Sequence, residues 1–143
     1  MEKVKLISGG VHQDERGSLH FNNDVLISQV KRFYQIIPES KEIIRAWQGH
    51  KVEQKWFYAP KGKFEISTVK VHSFEQADHK APVVKYTIDS NRTDVLIVPG
   101  GYATGIRSLK DNAILTVFSN KTLEDSKKDD YRWDQNYFID SDF

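Results

Sequence analysis

Apolar residues along this chain recur with period two, or in short unbroken runs, far more often than with the 3.6-residue period of an amphipathic helix. The runs are rich in Val, Ile, Phe and Tyr. They predict strands at residues 4–7, 18–21, 30–37, 43–47, 54–58, 63–71, 83–88, 94–98, 103–106 and 113–120. Between them stand the residues that turns require: Asn22-Asn23-Asp24, Pro38-Glu39-Ser40, Pro60-Lys61-Gly62, Ser90-Asn91 and Pro99-Gly100-Gly101. Within residues 63–71 the apolar positions are Phe64 and Ile66, then Val69 and Val71, so the alternation slips once. A bulge near Ser67-Thr68 would absorb the slip. Only residues 73–81 and 123–130 fit a helix, and both stretches are short. Many strands, tight turns and little helix predict an all-β fold, and at this length a double-sheet jelly roll. With no repeat, low-complexity tract or linker, residues 1–143 read as one domain.

Composition removes whole classes of chemistry. The chain has 143 residues and no cysteine, which excludes thiolate zinc sites, iron–sulfur clusters, cysteine nucleophiles and disulfides. Any metal would need His and carboxylate ligands, and any covalent nucleophile would be an alcohol, amine or carboxylate. Twenty-one basic against 20 acidic side chains give a net charge of +1, without the global basicity of a nucleic-acid binder. The charge is unevenly spread: the last 24 residues carry seven carboxylates and four bases, which leaves +4 on the first 119. A polyanion would therefore be held locally. The N-terminal sequence has no apolar core of secretory length, and no apolar run approaches the roughly 20 residues of a membrane span. The expectation is a soluble cytoplasmic protein.

The chemistry-bearing segments are Ile44-Arg45-Ala46-Trp47-Gln48-Gly49-His50-Lys51, continuing through Lys55 to Gly62, and Pro99-Gly100-Gly101-Tyr102-Ala103-Thr104. Their order is similar to the cupin pattern, in which His-x-His, a Glu and a last His bind a metal. Laid on this chain, those four positions are Gln48, His50, Lys55 and Thr104. One ligand of four survives, and an ammonium in place of the carboxylate opposes a cation, so no metal site and no cofactor is expected.

A metal-free branch of cupins fits better. His12-Gln13-Asp14-Glu15-Arg16-Gly17, Ile44-Arg45, Lys55 and Ile97-Val98-Pro99-Gly100-Gly101-Tyr102-Ala103-Thr104-Gly105 resemble motifs of the dTDP-4-dehydrorhamnose 3,5-epimerases. Lys110-Asp111-Asn112-Ala113 and Tyr131-Arg132-Trp133-Asp134 are similar to the closing elements of that family. Lys31-Arg32-Phe33-Tyr34 and Arg45-Ala46-Trp47-Gln48-Gly49-His50-Lys51 resemble the related dTDP-sugar 3,4-ketoisomerases. The resemblance runs from about Val11 to Asp134. It implies the cupin double-stranded β-helix, a homodimer, and metal-free chemistry on a nucleotide-diphosphate 4-keto-6-deoxy sugar for surface-polysaccharide synthesis. Such chemistry needs a base beside a carbon acid, a donor for the enolate oxygen, an acid, and cations for the diphosphate.

Departures from the family pattern shape the expectation. The epimerase base position holds Gln48, which cannot abstract a proton, and the epimerase tyrosine falls near Thr122 or Leu123. The resemblance then leaves His50 as base, Tyr34 as proton relay, Gln48 and Lys55 on the oxyanion side, and Arg16 and Arg45 as the diphosphate clamp. His50 is equally a partly buried polar residue, with a pKa that suits a base at neutral pH. Lys55 either faces outward into water or points inward at an anion. Arg107 either reaches a phosphate or makes a rim ion pair, and Tyr102 is a candidate stacking surface for a base. Trp47, Trp56 and Trp133 are core or interface residues, and histidines 12, 20, 72 and 79 are surface or turn residues. The alternative function is a degenerate cupin that binds a nucleotide sugar without turnover. A bare scaffold for protein contacts is a third reading.

Overall fold

The computed structural model describes residues 2–143. In chain order it has strands β1 (Lys5–Ile7), β2 (Gly10–Asp14), β3 (Gly17–Phe21), β4 (Arg32–Ile36), β5 (Ile44–His50), β6 (Lys55–Lys61), β7 (Lys63–Lys70), β8 (Val84–Asp89), β9 (Val95–Val98), β10 (Tyr102–Ser108) and β11 (Ile114–Ser119). A one-turn helix α1 (Leu123–Lys127) and a two-residue strand β12 (Tyr131–Arg132) follow. Two five-stranded antiparallel sheets, ordered β1-β9-β6-β11-β4 and β12-β5-β10-β7-β8, pack face to face as an all-β cupin-like jelly roll. Strands β2 and β3 form a separate hairpin. Among the described residues no helix is long and apolar enough to cross a membrane.

Every strand anticipated from the alternating pattern is present, with ends moved by a few residues. Strand β2 escaped notice because Gly10-Val11-His12-Gln13-Asp14 has almost no apolar side chains and none that is buried. Proline 60 does not end β6. Two residues of β6, Ala59 and Pro60, oppose the single Leu115 of β11 at this point, between the pairs Lys61–Ile114 and Tyr58–Thr116, and a residue lacking an N–H suits such a bulge. The turn is made by Gly62, whose φ of 84° favours glycine and whose Cα lies so close to Ala113 that a Cβ would clash.

Residues 73–81 are not helical. Ser73 Oγ accepts from the Gln76 backbone N–H and Asp78 Oδ1 from that of Lys80, so local side-chain bonds replace the helical ladder. In the second stretch only residues 123–127 are helical, capped by Thr122, whose hydroxyl accepts from the Asp125 N–H.

The expected bulge at Ser67-Thr68 is also absent. Strand β7 pairs residue for residue with both β8 and β10. Phe64, Ile66 and Thr68 face the inter-sheet core, and Val69 and Val71 face the other way. They are apolar because the outside of this sheet is covered by a second layer, in which Trp47, Phe74, Ala77, Ala103 and Phe138 pack with Val69 and Val71. The hydrophobic pattern changed faces because two cores share one strand. The first core, between the sheets, holds Phe57, Phe64, Ile66, Ile88, Leu96, Leu115 and Val117.

Candidate functional site

Near the edges formed by β4 in one sheet and by β5 and β12 in the other, the interior opens into a cavity of about 370 Å³. Tyr34, Arg45, Gln48, Lys55, Thr104 and Arg132 line it, with Ile36, Phe57 and Ile106 at its apolar side. Arg45 and Gln48 are three residues apart and on a regular strand would face opposite ways. A register shift opposite Thr104 and Gly105 inserts one extra residue in β5, so both reach the cavity. Trp47 is turned outward by the same shift, and its indole N–H donates to the Gln135 carbonyl. Gly49 carries no side chain because a Cβ there would meet the Trp133 ring at 2.8 Å.

The cavity wall is a chain of polar contacts. Arg132 donates to Asp130 through Nε at 2.9 Å and Nη2 at 3.2 Å, and Gln48 Nε2 donates to Asp130 Oδ1 at 3.1 Å. Lys55 Nζ in turn donates to Gln48 Oε1 at 3.4 Å. The Asp130 carboxyl is held below its ordinary range, chiefly by Arg132. Gln48 therefore presents its carbonyl to the lysine and one N–H to the aspartate, which fixes its amide as an orienting group for Lys55. Lys55 points inward and is only 6% exposed. Its ammonium lies 5.7 Å from the centre of the Tyr34 ring, and the Arg32 guanidinium lies 5.3 Å from the same ring.

His50 shares the inner face of β5 with Gln48 but does not line the cavity; it is buried at 6% exposure. Its Nδ1 is 2.5 Å from the Asp129 carbonyl, an acceptor only, so Nδ1 carries the proton and Nε2 keeps its lone pair. That Nε2 is buried without a partner. Burial, then the Lys55 charge, push the imidazole below its ordinary value of 6.5, and Glu53 and Asp129 partly oppose them. At neutral pH His50 is therefore an uncharged base.

Two residues that sequence reasoning passed over hold this arrangement. The Asp129 carboxylate accepts from the backbone N–H groups of Lys51, Val52 and Glu53 at 2.7, 2.9 and 2.9 Å, which pins the β5–β6 loop beneath His50. Glu53, 1% exposed, lies among Arg32, His50 and Lys55. The available signal was period two: Glu53, Lys55 and Phe57 alternate along one face. Arg132 was visible within Tyr131-Arg132-Trp133-Asp134, but its place on the cavity depends on β12 pairing with β5, where it opposes Gln48.

Four of the anticipated positions, Tyr34, Arg45, Gln48 and Lys55, meet at the cavity; His50 lies behind its wall, and three others lie elsewhere. Arg16 sits at the tip of the β2–β3 hairpin, its side chain 82% exposed and bonded to Asp14 at 2.7 Å. Arg107 projects from the outer face of β10, 3.7 Å from Glu65, as a rim ion pair. Tyr102 lines a separate cavity of about 650 Å³ with Tyr86 and Thr68, its phenol raised by burial and by Tyr86. Histidines 12, 20, 72 and 79 are exposed. Among the described residues no group of three or more His, Asp or Glu side chains is placed to hold a metal ion.

No protein-family model matches the chain, and no curated protein sequence does. Solved structures do. The TDP-quinovose 3,4-ketoisomerase of Campylobacter jejuni superposes with a TM-score of 0.71 at 16% identity, covering 97% of this chain and 99% of the other. A variant of the 3,4-ketoisomerase QdtA of Thermoanaerobacterium thermosaccharolyticum, in complex with TDP-4-keto-6-deoxyglucose, gives 0.73 at 16% identity over 97% and 94%. The dTDP-4-dehydrorhamnose 3,5-epimerase of Bacillus anthracis, with TDP and PPi bound, gives 0.75 at 18% identity over 93% and 79%. The chain thus has the fold shared by dTDP-sugar ketoisomerases and epimerases along almost its entire length.

Proposed function

We propose that this chain is one cupin unit that binds a nucleoside-diphosphate 4-keto-6-deoxy sugar in the cavity between β4, β5 and β12 and moves a proton next to the sugar ketone, as an isomerase or epimerase. The observation that carries the reading is the convergence of Tyr34, Arg45, Gln48, Lys55 and Arg132 on one polar cavity, with an uncharged histidine behind it. Lys55 polarises the ketone and stabilises the enolate oxygen as charge develops. His50 Nε2 accepts the proton, and Tyr34 relays it. Arg45, exposed at the mouth, and Arg132 meet the diphosphate through paired N–H groups. The cupin ligand positions hold Gln48, Lys55 and Thr104 beside His50, a donor set for an organic anion rather than a divalent cation.

In the same proposal the protein is a soluble cytoplasmic homodimer acting in the synthesis of a surface-polysaccharide sugar. The dimer is supported by Leu19 on the projecting hairpin and by Phe33 and Ile37 at edge strand β4, which are 63–66% exposed. Arg16, remote from the cavity of its own chain, then serves a second copy.

A second reading, binding without turnover, is favoured by one observation: His50 lies off the cavity lining, so a bound sugar reaches Nε2 only if the wall yields. Incubation with dTDP-4-keto-6-deoxyglucose in D₂O separates the two. Deuterium entering C3 or C5 supports catalysis. Thermal stabilisation by dTDP without exchange leaves the binding reading, and neither effect overturns both.

A further inference from the structure

Glu53 is a fully buried carboxylate that the proposed reaction does not use. Its Oε2 accepts from Ser119 Oγ at 2.9 Å and from Arg32 Nη2 at 3.5 Å, and lies 3.9 Å from Lys55 Nζ. Its Oε1 has no hydrogen-bond partner and lies 3.7 Å from His50 Nδ1. A buried carboxylate left half-satisfied is costly unless a neighbouring group completes it.

The groups facing His50 explain what would complete it. Lys55 on β6 opposes a positive imidazole, and Glu53 on the β5–β6 loop favours one. Asp129 and Asp130, from the segment after α1, add negative charge on the other side. With Lys55 and Arg32 both cationic, Glu53 is the nearest carboxylate to them and to His50. When Nε2 takes a proton the imidazolium becomes a donor at both nitrogens, and Glu53 Oε1 stands beside Nδ1 as its counter-charge.

We propose that Glu53 is the positioning residue of this site: one oxygen tethers the Arg32 and Lys55 cations, and the other waits as counter-ion for protonated His50. Glu53 touches no substrate. It acts through Lys55, which it keeps aimed along the cavity wall, and through His50, whose conjugate acid it stabilises in a dry surrounding. The catalytic consequence rests on the proposed function, whereas the effect on His50 does not.

The test is an NMR titration of the ligand-free protein with ¹⁵N-labelled histidine, in wild type and Glu53→Gln. The amide keeps the shape and the Ser119 contact and removes the charge. The expected result is a roughly tenfold loss of proton affinity at His50, with the Nδ1–H tautomer retained through the Asp129 carbonyl. Glu53→Asp, which keeps the charge but withdraws it by one methylene, should lower the affinity in the same direction by less, and it serves if the glutamine variant does not fold. A purely structural carboxylate would lower stability and leave the His50 titration unmoved, and that outcome, or a rise in affinity, overturns the proposal. With the dTDP sugar in D₂O, Glu53→Gln should slow exchange about tenfold while dTDP affinity stays within about twofold. If wild type shows no exchange, the proposed function fails while the titration still decides the role of Glu53.

Discussion

The space between the two sheets has two halves that share the same strands and differ in almost everything else. On one side Phe64, Ile66, Ile88, Leu96 and Leu115 are fully buried and wholly apolar. On the other, Arg32, Lys55, Glu53, His50 and Tyr34 occupy equivalent inward positions of β4, β5, β6 and the loop between the last two. The change happens within single strands: β6 reads Lys55, then Phe57 and Ala59 along one face. Hydrophobic burial and packing supply the stability of the first half. The second half repays charge burial only through mutual pairing, and two of its atoms, His50 Nε2 and Glu53 Oε1, remain unpaired. Buried polar atoms without partners mark the half where a ligand or a moving proton has something to complete.

The contrast can be broken at several points. Phe64→Ala should cost about 3–5 kcal/mol in denaturant unfolding, because a fully buried ring leaves a cavity that antiparallel neighbours cannot close. Asp129→Ala should cost about 1–3 kcal/mol, since it strands three loop N–H groups. It should also abolish the binding of any ligand that needs the β5–β6 loop in place. Arg45→Ala, at the exposed mouth, should change stability by less than about 0.5 kcal/mol and weaken dTDP binding about tenfold by calorimetry. Unchanged dTDP affinity in that variant would remove the diphosphate from this cavity.

Much of the fold was legible because alternation is a local signal, and its failures are instructive. The slip in β7 looked like a bulge, yet the strand is regular and the second apolar layer on the outside of its sheet supplies the missing reason. That layer is built from Phe74, just past the strand, and from Trp133, Tyr137 and Phe138 about 60 residues further along the chain, with no period to announce them. Of the site, Tyr34, Arg45, Gln48 and Lys55 were legible as motif positions. Whether Lys55 faced in or out was not, because one residue of register decides it. The places of Arg16 and Arg107 were not legible either: a motif names a residue type, while the hairpin and the outer face of β10 decide where the guanidinium ends up.

The smallest expected effect tests the two halves through acid stability. His50 titrates below its ordinary value of 6.5 in the folded protein, so between those two points the unfolded chain binds the extra proton and the folded chain does not. Stability then rises with pH across that window, is complete above about pH 6.5, and falls as acid drives the imidazole to charge. Carboxylates act in a separate window. Asp130, depressed by Arg132, contributes stability that is present above its ordinary value of 3.8 and is lost only as pH falls through its lowered folded value. The apolar half contributes no titration at all. Urea unfolding followed as the pH falls below about 6.5 should therefore show a slope in wild type that His50→Gln removes, since its amide can still donate to the Asp129 carbonyl without taking a proton. Phe64→Ala should shift the whole curve down and keep the slope. A slope that survives His50→Gln would mean that the buried proton acceptor of this cavity is some other group.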